Sequence, residues 1–140
     1  MKHRGVHQFQ IRRLIAVACL LTLPATVSAE ETTTTNLQAR LGEVFHRTMA
    51  HWGFGYDSLP ERRAGVACVP WDGLTEEFLT NEIFGAIGFS YSMADDGGAV
   101  SVAERGCQIM KSRRKVSGCE CETVLLNEEV VVSLPDGAGE

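Results

Sequence analysis

The clearest periodic signal along the chain is the recurrence of Leu37, Leu41, Val44, Phe45, Thr48, Met49 and Trp52. This spacing gathers apolar side chains on one stripe and predicts an amphipathic helix that runs up to "WGFG". Thr35 or Asn36 is the expected cap, so "EETTTTN" at 30–36 reads as a disordered polar lead. A second stripe joins Ala99, Val102, Ala103, Gly106, Cys107 and Met110, with Asp95 and Asp96 ahead of it. Carboxylates favour the positive end of a helix, and the small residues of this stripe let it lie close against a sheet.

Between the two helices the pattern changes. "GFGYDSLPERRAGVACVPWDG" is broken by glycine and proline and reads as a long irregular connection with a turn at "PWDG". Thr75, Glu76 and Glu77 start a short helix, with Leu74 and Leu79 as its flanking staple. From Ile83 to Tyr91 the larger residues Ile83, Ile87, Phe89 and Tyr91 share one parity, which predicts a central strand. "CECETVLL" and "EVVVS", split around "NEE", predict a hairpin. These elements make an α+β domain at 37–133: a small antiparallel or mixed sheet of about three strands, covered by one or two helices. The last residues, 134–140, read as a flexible tail.

The start of the chain changes the setting. Lys2, Arg4, Arg12 and Arg13 precede the apolar run "LIAVACLLTLP", and Val27 and Ala29 occupy the small-residue exit positions. Basic start, short apolar core and small-residue exit predict a secretory signal peptide at 1–29. Cys19 lies inside the apolar run and is discarded with it. The run is shorter than the roughly 20 residues of a membrane span, so no span is expected after cleavage. Four of the 13 basic residues fall in this leader. Residues 30–140 therefore keep 9 basic against 18 acidic residues, a net charge of −9 where the whole chain has −5. So acidic a product repels nucleic acid, which is excluded as a partner. The expected location is periplasmic or secreted.

Export gives the thiols their meaning. Cys68, Cys107, Cys119 and Cys121 remain after cleavage, an even number in a small exported chain, and predict two disulfides. Cys119 and Cys121 stand one residue apart and do not suit each other, because so short a ring strains the bond. On a strand, residues i and i+2 point to one face, so each sulfur meets a different partner there. Cys107 bonds to Cys119 or to Cys121, and Cys68 takes the other. A zinc site would call for cysteines two to four residues apart, joined by histidines. His46 and His51 lie far upstream and do not share a helix face. Copper(I) would suit thiolates with methionine, yet Met49, Met93 and Met110 are scattered. A dithiol oxidoreductase would want Cys-x-x-Cys at a helix start, and the chain has none.

No catalytic constellation stands out. Ser90 and Ser92 lie on a predicted strand without a nucleophile elbow. Asp95–Asp96 and Glu128–Glu129 fall in turns, and "ADDGG" lacks the remaining ligands of a calcium loop. Neither a catalytic residue, a metal ligand nor a cofactor is assigned. The run "FGAIGFS", the alanine-rich helix closed by Cys107 and the cysteine-led strand "CECETVLL" resemble a group of small secreted bacterial domains of unknown function. The resemblance covers about 84–132 and implies a fold more than a function. The expected function is a disulfide-stabilised binding or accessory protein that meets a protein or envelope component. Trp52, Phe54, Tyr56 and Trp71 are its candidate contacts, since aromatics are favoured as interface anchors. The alternatives are a small envelope enzyme or enzyme inhibitor, and a copper- or zinc-handling protein using Cys-x-Cys.

Overall fold

The centre of the sheet lies in the stretch that looks irregular in sequence. In the computed structural model, which describes residues 29–137, Ala64–Val69 form strand β1. β1 pairs antiparallel with β2 (Ile87–Ser90) on one side and with β3 (Glu120–Leu126) on the other. β4 (Glu129–Val130) pairs antiparallel with β3, so the sheet has four strands in the order β2-β1-β3-β4. The expected central strand at Ile83–Tyr91 is thus corrected twice: it starts at Ile87, and it is an edge. All six residues of β1 are buried. A strand covered on both faces needs no polar alternation, and "AGVACV" shows none.

Helices lie on both faces. α1 (Ala29–His51) and the short α2 (Glu76–Asn81) cover one face. Leu41, Val44, Phe45 and Met49 of α1 share a core there with Ala67, Val69, Ile87, Val124 and Leu125 of the sheet. α3 (Asp96–Arg114) covers the other face, where Ala99, Ala103 and Cys107 pack with Ala64, Val66 and Cys68. A bulge lies opposite Gly65 and Val66, whose partners are Leu125 and Thr123, so Val124 is the extra residue. Both Val124 and Leu125 then serve the α1 core.

Two glycines set how close the layers come. A Cβ on Gly65 would stand 2.5 Å from the Phe45 ring. One on Gly88 would stand 1.9 Å from the Ala103 carbonyl oxygen and 2.3 Å from the Cys107 nitrogen, so α3 rests on the backbone of β2 itself. The small-residue stripe of α3 has this use. Its Val102, however, is 43% exposed and lies outside the buried face.

The caps follow the expected chemistry, with one difference. Thr75 accepts from the Phe78 N–H at the start of α2, and Asp95 accepts from the Gly98 N–H at the start of α3. Lys115, in the left-handed region at φ 55°, ends α3. α1 instead begins at Ala29, so the segment read as a disordered lead is helical. Threonine costs only some tenths of a kcal/mol per helical residue, so a run of four does not bar a helix. Arg40 holds Glu76 through two hydrogen bonds of 2.6 and 2.7 Å that tie α1 to α2. This hydrogen-bonded guanidinium holds the Glu76 carboxyl below the usual carboxylate range. At the C-terminal end Leu134 packs against the α1 core, and the Val132 carbonyl accepts from Gln38 Nε2. Residues 1–28, nearly all of the signal peptide expected at 1–29, and residues 138–140 of the expected tail lie outside the described residues.

Two disulfides clamp the α3 side. Cys68 bonds to Cys119 and Cys107 bonds to Cys121, with Cα separations of 5.1 and 6.2 Å. Cys121 stands directly opposite Cys68 in the register of β1 and β3. Cys68 nevertheless reaches diagonally to Cys119, which leaves Cys121 for the helix above. Both sulfurs of the Cys-x-Cys pair therefore serve one face, each with its own partner.

Candidate functional site

Among the described residues β2 has no strand on its outer side. The Cys68 N–H donates to the Ala86 carbonyl, and antiparallel pairing alternates from there. Gly88 and Ser90 consequently turn their backbone groups towards β1, and Ile87 and Phe89 turn theirs outward. The Ile87 N–H confirms this direction, since it meets Met110 Sδ of α3 at 3.2 Å. At Phe89 the edge is open.

Apolar side chains flank that opening on both faces. On the α1 face, the Phe54 ring lies 5.2 Å from the Phe89 ring, and Phe54 is 50% exposed. Tyr91, two residues further on, is 49% exposed. Trp52 is 40% exposed and lies under the guanidinium of Arg114, 4.8 Å from its ring centre, at the end of α3 nearest the start of β2. On the other face, α3 turns about 100° per residue. Cys107 and Lys111 point towards β3, where Cys107 bonds to Cys121 and Lys111 Nζ donates to the Cys119 carbonyl. The opposite flank of α3, with Val102, Gly106 and Ile109, therefore overlooks the open edge of β2. Val102 and Ile109 are 43% and 44% exposed. Five of the six exposed large apolar residues among those described surround this edge, and the sixth, Val130, is on β4 at the far side of the sheet.

The four aromatic candidates from the sequence thus part company. Trp52 and Phe54 join the exposed edge. Trp71 is half-buried, packs against the α1 core and lines a shallow cavity of about 400 Å³ beside Lys111 and Cys119. Tyr56 is fully buried, with the edge of its ring system against Phe45 at 5.7 Å and the Arg63 guanidinium 5.2 Å from its centre. Among the described residues its hydroxyl has no hydrogen-bond partner. Burial pushes the Tyr56 hydroxyl up to about 12, against a smaller opposing pull from Arg63. Phe89, Tyr91, Val102 and Ile109 were not among the candidate contacts, although the strand pattern includes Phe89 and Tyr91 and the second stripe includes Val102. The signal for them was present only as apolar residues on a strand and a helix, where core is the ordinary use.

A concave site of about 550 Å³ lies at the other end of β1, lined by Glu61, Arg62, Arg63, Asp96, Asn127 and Glu128 among others. Arg63 is buried, and its guanidinium is engaged by the carbonyls of Leu59 and Asn127. Its Nη2 stands 4.0 Å from the Glu128 carboxylate. Asn127 returns the contact, donating its N–H to the Arg63 carbonyl at 2.8 Å and accepting the Arg63 N–H on its side-chain oxygen. This group fastens the β3–β4 turn to the start of β1, and the acidic rim around it is solvated. His46 has its Nδ1 3.7 Å from the Asp57 carboxylate, and no serine or cysteine hydrogen-bonds it among the described residues. His51 stacks edge-on against Trp52. The described residues contain no group of three or more His, Cys, Asp or Glu placed to hold a metal ion. The four cysteines among the described residues are joined in two disulfides, so the Cys-x-Cys pair presents no thiolate.

Among the described residues the groups around Arg63 form a structural clamp, whereas the apolar surface around the β2 edge leaves the outward backbone groups of Phe89 unused. No protein-family model, no curated protein and no solved structure matches the chain.

Proposed function

We propose that the protein is an exported binding or accessory module, held by two disulfides, that engages a protein or envelope component through the open edge of β2. The observation that carries this reading is the concentration of exposed Trp52, Phe54, Tyr91, Val102 and Ile109 around a strand with outward backbone groups. An open edge with flanking apolar side chains is a general means of strand addition: backbone hydrogen bonds give affinity and the side chains give fit. Trp52 and Phe54 are the proposed anchors, because aromatic residues that become desolvated dominate interface energies. Export into the periplasm or beyond is supported by the leader-like pattern at 1–29 and by two disulfides in a small chain.

The test compares capture from envelope extract by the wild type and by a Trp52→Ala, Phe54→Ala double variant. The variant is expected to lose the captured partner while its thermal midpoint stays within about 3 °C of the wild type, since both side chains are half exposed. Unchanged capture by the variant would remove the edge as the binding surface.

A further inference from the structure

We infer that Cys119 is a latent thiol site, uncovered by exchange between the two disulfides. Once a dithiol reductant has opened Cys107–Cys121, Cys121 takes Cys68 as its partner and Cys119 is released into the cavity beside Trp71 and Lys111.

Cys68 has two partners within reach. Cys68, Cys107 and Cys119 share one buried cluster on the α3 face, and Cys121 packs against it. Cys68 is bonded diagonally to Cys119 at a Cα separation of 5.1 Å, while Cys121 stands directly opposite it in the register. The N–H and carbonyl of a strand residue point to the same side. The Cys68 N–H donates to the Ala86 carbonyl, so the backbone groups of Cys68 face β2 and not β3. Cys68 and Cys121 are therefore a non-hydrogen-bonded pair, whose Cα atoms in an antiparallel ladder stand about 4.5 Å apart. That separation lies inside the range of about 4.4–6.8 Å that a disulfide spans. What withholds Cys121 from Cys68 is its bond to Cys107.

This bond is also the more accessible of the two. Cys68 and Cys119 are 1% and 7% exposed and Cys107 is fully buried, whereas Cys121 is only partly buried. An incoming thiolate must reach a sulfur, and that of Cys121 is the one within its reach. It attacks there, and Cys107 leaves as a thiolate and takes a proton. The second thiol of the reductant then displaces Cys121 from the mixed disulfide, so the reductant ends as a disulfide and the protein gains a dithiol. In the next step the Cys121 thiolate attacks Cys68 Sγ. The Cys68–Cys121 bond forms, the Cys68–Cys119 bond breaks, and its electron pair leaves on Cys119 Sγ. This step consumes no reductant. The pairing of β1 with β3 keeps Cys121 opposite its target.

The surroundings of Cys119 suit a released thiolate. Cys119 precedes β3, which starts at Glu120, and follows Ser117 and Gly118, both exposed. At Gly118, with φ 73°, a Cβ would meet nothing within 4 Å, so the turn has open space around it. Cys119 lines the cavity of about 400 Å³ together with Trp71, Asp72 and Lys111. Lys111 Nζ donates to the Cys119 carbonyl at 2.6 Å, which holds an ammonium beside this residue. A neighbouring cation favours the anionic sulfur, both as a leaving group and as a nucleophile afterwards.

The test treats the oxidised chain from residue 30 onward with a single equivalent of dithiothreitol, quenches with acid, and alkylates every thiol in denaturant before a non-reduced peptide map. Chains with two labels are expected to include a form labelled at Cys107 and Cys119 and linked Cys68–Cys121. Its amount should lie within about tenfold of the Cys68–Cys119 form, because the two rings are nearly equal in length. Two-label chains linked only as Cys68–Cys119 overturn the inference. So do labels on Cys68 and Cys119 with Cys107–Cys121 intact, and so does passage from no label to four without a two-label form. Cys107→Ala reads the same competition without reductant, since Cys121 is then free from the outset. Both links are expected in it, and the absence of Cys68–Cys121 overturns the inference. Cys121→Ala, which frees Cys107 instead, should leave Cys119 unlabelled; a label there would overturn the assignment of Cys121 as the attacking thiol. Far-ultraviolet circular dichroism establishes that each variant is folded, and the wild-type map stands without them.

Discussion

Gly88→Ala is the substitution that most sharply tests how the two layers meet. The added methyl carbon would fall 1.9 Å from the Ala103 carbonyl oxygen and 2.3 Å from the Cys107 nitrogen, both backbone atoms of α3. Comfortable contact needs about 3.5 Å, so the helix must withdraw by roughly 1.5 Å. It has little room to do so. Cys107 is bonded to Cys121 across a Cα separation of 6.2 Å, and disulfides rarely span more than about 6.8 Å. Withdrawal would also thin the contacts of Ala99 and Ala103, which are fully buried. Overpacking against a rigid backbone costs typically 1–3 kcal/mol, and the tether argues for about 3 kcal/mol or more here. Urea unfolding of the oxidised protein reads this directly as a lower midpoint. Gly97→Ala is the matched control: its Cβ meets nothing closer than 3.4 Å, and in a helix Ala exceeds Gly by about 0.5–1 kcal/mol, so it should raise the midpoint. Equal midpoints for Gly88→Ala and the wild type would mean that α3 does not rest on β2 at this residue.

Tyr56→Phe should leave stability unchanged or raise it by about 1 kcal/mol, because it deletes a buried hydroxyl that has no partner among the described residues, whereas Tyr56→Ala should cost about 3–5 kcal/mol; thermal unfolding of both variants checks the pair. Since Tyr56 titrates at about 12 in the fold against 10.0 when free, its burial favours the protonated form. That preference is complete below pH 10 and is lost as the pH rises towards 12, so stability should fall across this window, and less so in Tyr56→Phe. Replacing Cys68 and Cys119 by alanine opens a loop with a sequence separation of 51, against 14 for Cys107 and Cys121. The chain-entropy model then gives losses of roughly 4 and roughly 3 kcal/mol, and denaturant midpoints should fall in that order.

How much of this architecture can be read from the residues varies with how each element is buried. α1 and α3 each leave one side in water, so their period is visible, and the stripe from Leu37 to Met49 is the buried face of α1. Trp52 continues that period yet stands outside the core, because the helix ends at His51. The hairpin at β3 and β4 was legible from its β-rich runs, and the pairing of its cysteines was narrowed to two choices by their spacing. β1 was not legible. It is covered on both faces, carries small residues where helices come close, and is bounded by Pro60 and Pro70, so it imitates a loop. With β1 missing, Ile83–Tyr91 took its place as the central strand, and the edge that carries the candidate surface was hidden. The aromatic residues show the same difficulty. Trp52, Phe54, Tyr56 and Trp71 look alike in an irregular segment, and only the fold separates Phe54 at the surface from Tyr56 against Arg63. An edge is a property of strand order, and strand order is set by contacts distant in sequence.

The most direct measurement is the intact mass and the non-reduced peptide map of the protein recovered from its native cells. The account predicts a chain that begins at Glu30, lacks four thiol hydrogens, and yields Cys68 linked to Cys119 and Cys107 linked to Cys121. A full-length chain with Cys119 and Cys121 as free thiols would contradict it.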